Sequence, residues 1–224
     1  MRQIPLAIGL GNEPGFDNFV VGDNGLALHA LQALQLPSPP VYLHGPAGAG
    51  KSHLLAALSA AVRQAGGRCA WFDADAPLPW TFDEGWSLVV IDGAERLDAA
   101  HQHAAFTLFV EAATHGVQMA SAGRLPPVAL PVREDLRTRF GWGPSYPLVP
   151  LDEAGTRAAL RREADARGIL LSDDVMDYLL TRFTRDLGSL MGLLDRLDRF
   201  SLAEKRAITV PLLKKMLTED EVAA

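Results

Sequence analysis

Eight consecutive residues, Gly45-Pro46-Ala47-Gly48-Ala49-Gly50-Lys51-Ser52, constrain this chain more than any other stretch. They fit the spacing G-x-x-x-x-G-K-[ST]. A short apolar run, Val41–His44, leads in. An Ala- and Leu-rich stretch, residues 52–65, leads out and is closed by Gly66-Gly67. Strand, tight loop and helix form the setting in which such a loop cradles phosphate. The glycines let backbone N–H groups turn inward around the oxygens. Lys51 is placed to reach β- and γ-phosphates, and the Ser52 hydroxyl to help hold Mg²⁺. Gly45, Pro46, Gly48, Ala49, Gly50, Lys51, Ser52 and the adjoining His53 are therefore candidate nucleotide-binding residues.

The pattern around the loop predicts an α/β domain. Helical spacing covers residues 24–35, stopped by PSPP at 37–40. Cys69–Asp73 and Ser87–Ile91 read as buried strands, 99–115 as a helix ending near Gly116, and Val117–Ser121 as another strand. Short apolar runs alternating with helices imply a parallel sheet with helices on both faces. Leu88-Val89-Val90-Ile91-Asp92 is an apolar strand ending in a carboxylate. Asp92 either holds Mg²⁺, directly or through water, or is a turn residue at a strand end. The next position is Gly93, where a nucleotide-hydrolysing site of this kind places a second acid to polarise the attacking water. Glu95 lies two residues further on and need not face the γ-phosphate. Nucleotide binding with little intrinsic ATP hydrolysis is the expectation.

After residue 150 strands give way to helical patterns at about 152–167, 173–184, 186–203 and 210–217. Ser172 before Asp173 and Asp174 is a candidate N-cap with acids at the positive end of the helix dipole. Thr209 is another, with Pro211 in the first turn. The expected organisation is an extended segment over 1–15, an α/β domain over 16–150 and a small helical domain over 151–224, ending in an acidic tail, TEDEVAA.

The formal net charge of −6 over 224 residues argues against a protein whose main work is gripping duplex phosphate. Cys69 alone builds no disulfide framework and is expected to be a small buried hydrophobe. No apolar run nears the roughly 20 residues that span a bilayer. The N-terminus lacks a signal-peptide core, so a cytoplasmic protein is expected. His101 and His103 fall on different faces of a helix and read as surface residues. Trp71, Trp80, Trp86 and Trp142 read as packing residues, because no Lys/Arg-rich stripe surrounds them.

Two further stretches carry a family resemblance. Phe16-Asp17-Asn18-Phe19-Val20-Val21-Gly22 resembles the segment that opens the AAA+ core of DnaA, the bacterial replication initiator, and packs near the adenine. That implies nucleotide-binding roles for Phe16 and Val21. Thr138-Arg139-Phe140-Gly141-Trp142-Gly143 resembles the DnaA stretch that carries an arginine finger. With the phosphate loop these cover residues 16–143, and the helical region from 151 is similar to the DnaA lid. A lid followed by no helix-turn-helix domain is similar to the Hda family. The resemblance then implies an adaptor that binds ADP or ATP with Mg²⁺, docks on the DNA sliding clamp and makes DnaA hydrolyse its ATP, preventing re-initiation. Direct duplex DNA binding and membrane association are not expected, and self-association is compatible with fingers that act in trans.

The Hda family carries a clamp-binding peptide of the form Q-x-x-L-x-[FLI]. Gln3-Ile4-Pro5-Leu6-Ala7-Ile8 fits it, with Leu6 and Ile8 for an apolar pocket and the Gln3 amide for its rim; the same residues also read as an ordinary first strand. Arg139 matches the finger position, where a guanidinium entering a partner's site stabilises transition-state charge, an effect worth about 10³–10⁵ in rate. The alternative is a surface salt bridge to Glu134 or Asp135. Arg185 is similar to a lid arginine that reaches nucleotide phosphate, and otherwise is a solvated helix-end residue. The polar strand-end group usual after strand 117–121 is poorly matched, with Ser121 a weak candidate. A stand-alone ATPase such as a DnaC-like helicase loader is the competing enzyme reading, and Gly93 counts against it. A truncated initiator that binds DNA directly is a third.

Overall fold

The computed structural model describes residues 14–183 and 187–223, with side chains through residue 219. It divides into two compact units, with the break after Leu148 and with Ala47–Ala49 grouped with the second. The first is built on five short strands: β1 (Val41–His44), β2 (Cys69–Phe72), β3 (Leu88–Ile91), β4 (Gln118–Gly123) and β5 (Ser145–Pro147). All neighbours pair in parallel, in the order β2-β3-β4-β1-β5. The residues of β3 and β4 are buried throughout, as a parallel sheet covered on both faces requires.

Four helices accompany the sheet: α1 (Gly25–Gln32), α2 (Lys51–Gln64), α3 (Ala99–His115) and α4 (Glu134–Phe140). Strand side chains alternate between faces. Tyr42, Val89, Ile91 and Met119 share one core with Leu108 and Phe109 of α3 and Leu136 and Phe140 of α4. Helix α2 packs on β3 and β4 but contributes nothing to that core, so it covers the opposite face. The expected α/β architecture is thus borne out. Asp98 caps α3 by accepting from His101 N at 2.9 Å, and Gly116, at φ 68°, ends it.

Several local expectations are corrected. Strand β2 forms an edge of the sheet, so Cys69 is half-buried, not buried. Its thiol lies 3.5 Å from the Ser59 carbonyl, and burial pushes its pKa up. Trp71 on the same edge is 39% exposed, and Trp142 is 52% exposed, so neither is a core packing residue. Trp80 is buried, and Trp86 packs edge-on to Phe72 and Phe82. His101 is no surface residue. Its side chain is 14% exposed, with Nδ1 2.7 Å from Asp98 Oδ1 and the ring 5.4 Å from that of Trp80. Strand β4 runs two residues beyond the expected end. The sequence reading assigned no element to α4 or β5.

The second unit is helical: α5 (Glu153–Ala166), α6 (Asp173–Arg182), α7 (Leu187–Glu204) and α8 (Val210–Ala223). Leu160, Val175, Met176, Leu179, Leu194 and Leu213 form the centre of its core. Asp152 caps α5 through Gly155 N at 2.7 Å, Ser172 caps α6 through Val175 N at 3.4 Å, and Thr209 Oγ1 accepts from Leu212 N at 3.4 Å. Helix α8 runs through most of the stretch read as an acidic tail. Nothing in that stretch breaks a helix, and Lys215 pairs with Glu219 one turn on, at 3.6 Å. Among the described residues no helix is long and apolar enough to cross a membrane.

Leu194 has no exposed surface, and Leu194→Ala is expected to cost about 2–5 kcal/mol in urea unfolding followed by far-UV circular dichroism. A loss below about 1 kcal/mol would contradict the packing.

Candidate nucleotide-binding site

The carboxyl ends of parallel strands are where α/β sheets bind ligands. Here β1 ends at His44, and the chain turns at once into the phosphate loop. Gly45 has φ +151°, and a Cβ there would stand 2.2 Å from the Leu148 carbonyl oxygen. Its N–H donates to Gly123 O at 3.3 Å, and Leu148 N–H donates to His44 O at 2.6 Å. Gly48 and Gly50 also have positive φ, 75° and 92°. Gly50 is the N-cap of α2, and a Cβ on it would lie 2.7 Å from the Phe19 ring. Pro46 is exposed and Ala49 buried.

Lys51 donates from Nζ to the carbonyls of Gly45 and Pro46, both at 2.7 Å. Its pKa is drawn down by burial, against the pull of the Glu95 and Asp92 carboxylates, with Arg124 adding to the lowering. Burial and Lys51 lower the His44 pKa. Ser52 Oγ donates to Asp92 Oδ2 at 2.5 Å. The two residues assigned to Mg²⁺ thus converge from α2 and from the end of β3. Their hard oxygens suit that ion. Among the described residues there is no cluster of three His, Cys, Asp or Glu ligands. A cation at this place would therefore need ligands from phosphate and water.

His53 reaches back: its Nε2 lies 3.0 Å from the Gly15 carbonyl and its ring 5.5 Å from that of Phe19. The opening segment is thereby fixed on the first turn of α2. Phe16 is half-buried and Val21 is 37% exposed. Phe19, which the sequence reading did not single out, is 8% exposed and lies under the loop. Its place in the Phe16–Gly22 stretch was the available signal.

Gly93 adopts φ +69°, and a Cβ there would lie 2.7 Å from Arg96 Nε. Glu95 turns instead toward the end of β4, accepting from Arg124 N–H at 3.0 Å and pairing with its guanidinium at 3.4 Å. Ser121 does not project from the strand end. It is 1% exposed, inside the sheet and opposite Tyr42. Gly123 occupies the end of the strand. Tyr42 Oη and Ser121 Oγ are buried without a hydrogen-bond partner among the described residues, a condition that costs about 1–3 kcal/mol per group. Burial and the Glu95 and Asp92 carboxylates push the Tyr42 ionisation far up, leaving the phenol a neutral donor.

Arg139 sits in the last turn of α4. Its guanidinium lies 3.7 Å from the centre of the Trp142 ring and 5.6 Å from that of Phe106. It makes no ion pair with Glu134 or Asp135; Arg133 is the residue that pairs with Asp135, at 2.6 Å. Gln3, Leu6, Ile8 and Arg185 lie outside the described residues.

Replacing Gly93 with the missing acid, Gly93→Glu, is expected to lower the melting temperature, since the left-handed backbone costs an L-residue about 1–2 kcal/mol. It should gain no ATP turnover. A phosphate-release assay showing faster turnover with an unchanged melt would overturn this account of the loop.

A model of the Hda lid domain matches residues 152–217, and one of the bacterial DnaA ATPase domain matches residues 10–73. Together they take in more than half of the chain. Among solved structures, domain III of the Thermotoga maritima replication initiation protein DnaA is similar over 92% of this chain and 95% of that one, with 20% identity and a TM-score of 0.73. AMPPCP-bound DnaA from Aquifex aeolicus is similar over 83% of this chain, with 23% identity and a TM-score of 0.65. This chain spans 65% of that longer protein. The Thermotoga maritima RuvB Holliday junction branch migration motor is similar over 85% of this chain and 64% of that one, with 15% identity and a TM-score of 0.59. At these identities the structural likenesses establish the fold, and the two sequence models narrow it: the chain is a DnaA-related AAA+ protein with an Hda-type lid.

Proposed function

We propose that this protein is an adenine-nucleotide-binding regulator of replication initiation. In this reading it docks on the DNA sliding clamp through Gln3, Leu6 and Ile8 and supplies Arg139 in trans to the ATP site of DnaA, so that DnaA hydrolyses its ATP. The nucleotide, ADP or ATP, sits on the loop Gly45–Ser52. Lys51 is assigned to its phosphates, Ser52 and Asp92 to Mg²⁺, and Arg185 to phosphate, as the resemblance implies. Bound Mg²⁺ would supply neutralising charge between phosphate oxygens. Two of the similar DnaA structures hold AMPPCP, which supports an adenine nucleotide here.

The observation that carries the trans role is the placement of Arg139. Its guanidinium is stacked on Trp142 at 3.7 Å and has no carboxylate partner among the described residues. Stacking fixes the plane of the group but leaves its N–H edges available, and those edges are what hold phosphate oxygens. An arginine already spent on a salt bridge would have to break it first. Gly93 points the same way. A site without its second acid suits a nucleotide used as a conformational ligand, which needs only unequal affinity for two states.

Arg139→Ala should bind nucleotide and clamp as the wild type does, yet lose stimulation of DnaA ATP hydrolysis by at least about 10³-fold. Full stimulation by this variant sinks the finger role. Gln3→Ala should fail to be retained on immobilised clamp, and retention equal to wild type sinks the docking role. Fast ATP turnover by the protein alone would favour an enzyme instead.

A further inference from the structure

Gly143 lies just before β5, and a Cβ on it would stand 2.0 Å from the Pro40 carbonyl oxygen, where β1 begins. This close approach holds the preceding residue, Trp142, beside the amino ends of β1 and β4. There Pro40, Phe109, Ala112, Met119 and Trp142 line a groove of about 220 Å³. Its volume is below the roughly 300–1,000 Å³ of small-molecule sites and suits an apolar side chain. Ser38, the polar member of the lining, is engaged already: its N–H and hydroxyl donate to Gln118 Oε1 at 2.7 and 3.0 Å. Among the described residues no charged side chain lines the groove.

Trp142 belongs to both the groove and the candidate finger. It lines the one, and the Arg139 guanidinium stacks on it, 3.7 Å from the ring centre. The residue is 52% exposed. A surface that meets the N–H edges of Arg139 therefore lies within a ring's width of the groove. Helix α4 ends here, at the amino end of the sheet, whereas the phosphate loop leaves the carboxyl end of β1. Groove and guanidinium thus sit together, at the far end of the sheet from the chain's own loop.

We propose that this groove is the anchor pocket of the surface that Arg139 presents. The nucleotide-bearing partner inserts one apolar side chain into it, next to the anionic phosphates that draw the guanidinium. An apolar anchor beside an anion is the chemistry that an uncharged groove and a rim arginine without a carboxylate partner read together. Trp and Arg are also the residues in which interface binding energy concentrates, around anchors seated in desolvated pockets. The inference rests on the trans role of Arg139 and adds what holds the partner while that residue acts. Arg139 serves the transition state, and the groove supplies affinity.

ATP hydrolysis by DnaA, measured against the concentration of this full-length protein on DNA-loaded clamp, separates the two contributions. Ala113 lines the groove from the exposed side of α3. Ala113→Leu fills the groove at little cost in helix propensity, and its melting temperature should match the wild type's. It should raise the half-saturating concentration at least about tenfold, the loss of one buried anchor, and leave the plateau within about twofold. Arg139→Ala should instead lose the plateau. Ala113→Ser, which leaves the groove open, should match the wild type. An unchanged half-saturating concentration in Ala113→Leu, a fall in its plateau alone, or an equal effect of Ala113→Ser would overturn the proposal. So would Ala113→Leu altering the sedimentation of the protein by itself while stimulation stays at the wild-type level, which would give the groove to a second copy of this chain. If Arg139→Ala stimulated fully, the finger reading would fail and the groove proposal with it. An inactive Arg139→Ala with Ala113→Leu indistinguishable from the wild type removes the groove alone.

Discussion

The closest backbone approach in the site, Gly45 against the Leu148 carbonyl, governs the rest of it. A first side-chain carbon at position 45 would sit 2.2 Å from that oxygen, so no other residue fits without moving the end of the first unit. The same few atoms tie three chain segments together: β1 through the His44 carbonyl, β4 through the Gly123 carbonyl, and the segment after β5 through Leu148. With the strand ends pinned at one level, Gly45 and Asp92, just beyond β1 and β3, and Gly123, the last residue of β4, are brought to one rim of the sheet. Ser52 and Asp92 then meet at 2.5 Å though they are forty positions apart.

Glycine serves opposite purposes around this rim. At 45, 48 and 50 it gives the backbone the curvature a phosphate cradle needs. At 93 a left-handed turn takes the place of an acidic side chain and sends Glu95 to the end of β4. At 123 the missing side chain makes room for a phenol from the neighbouring strand.

What the sequence could reveal follows from this. The strand–loop–helix unit was legible because residue type, spacing and flanking periodicity agreed at every position from Val41 to Gln64. The lid helices were legible from apolar spacing and from Ser172 and Thr209 as caps. Strand β5 was hidden because it has only three residues, follows Pro144 and ends in Pro147, too short a run to carry a period. The seven residues of α4 are too few to establish one. Cys69 and Trp71 were misjudged because an apolar run does not say whether its strand will lie inside the sheet or at its edge. His101 was misjudged because helical spacing does not show that Asp98 and the Ala76 carbonyl clasp the ring.

The two bonds from Lys51 to the loop's own carbonyls have a thermodynamic corollary. Two of the three ammonium donors are already engaged by the loop, so a phosphate that takes either of them exchanges a hydrogen bond with the loop instead of adding one, and the net gain from that bond is a difference between two similar contacts. The same clasp braces the cradle from within. A loop held in its curved form by its own lysine is a receptor shaped in advance, at the cost of some grip.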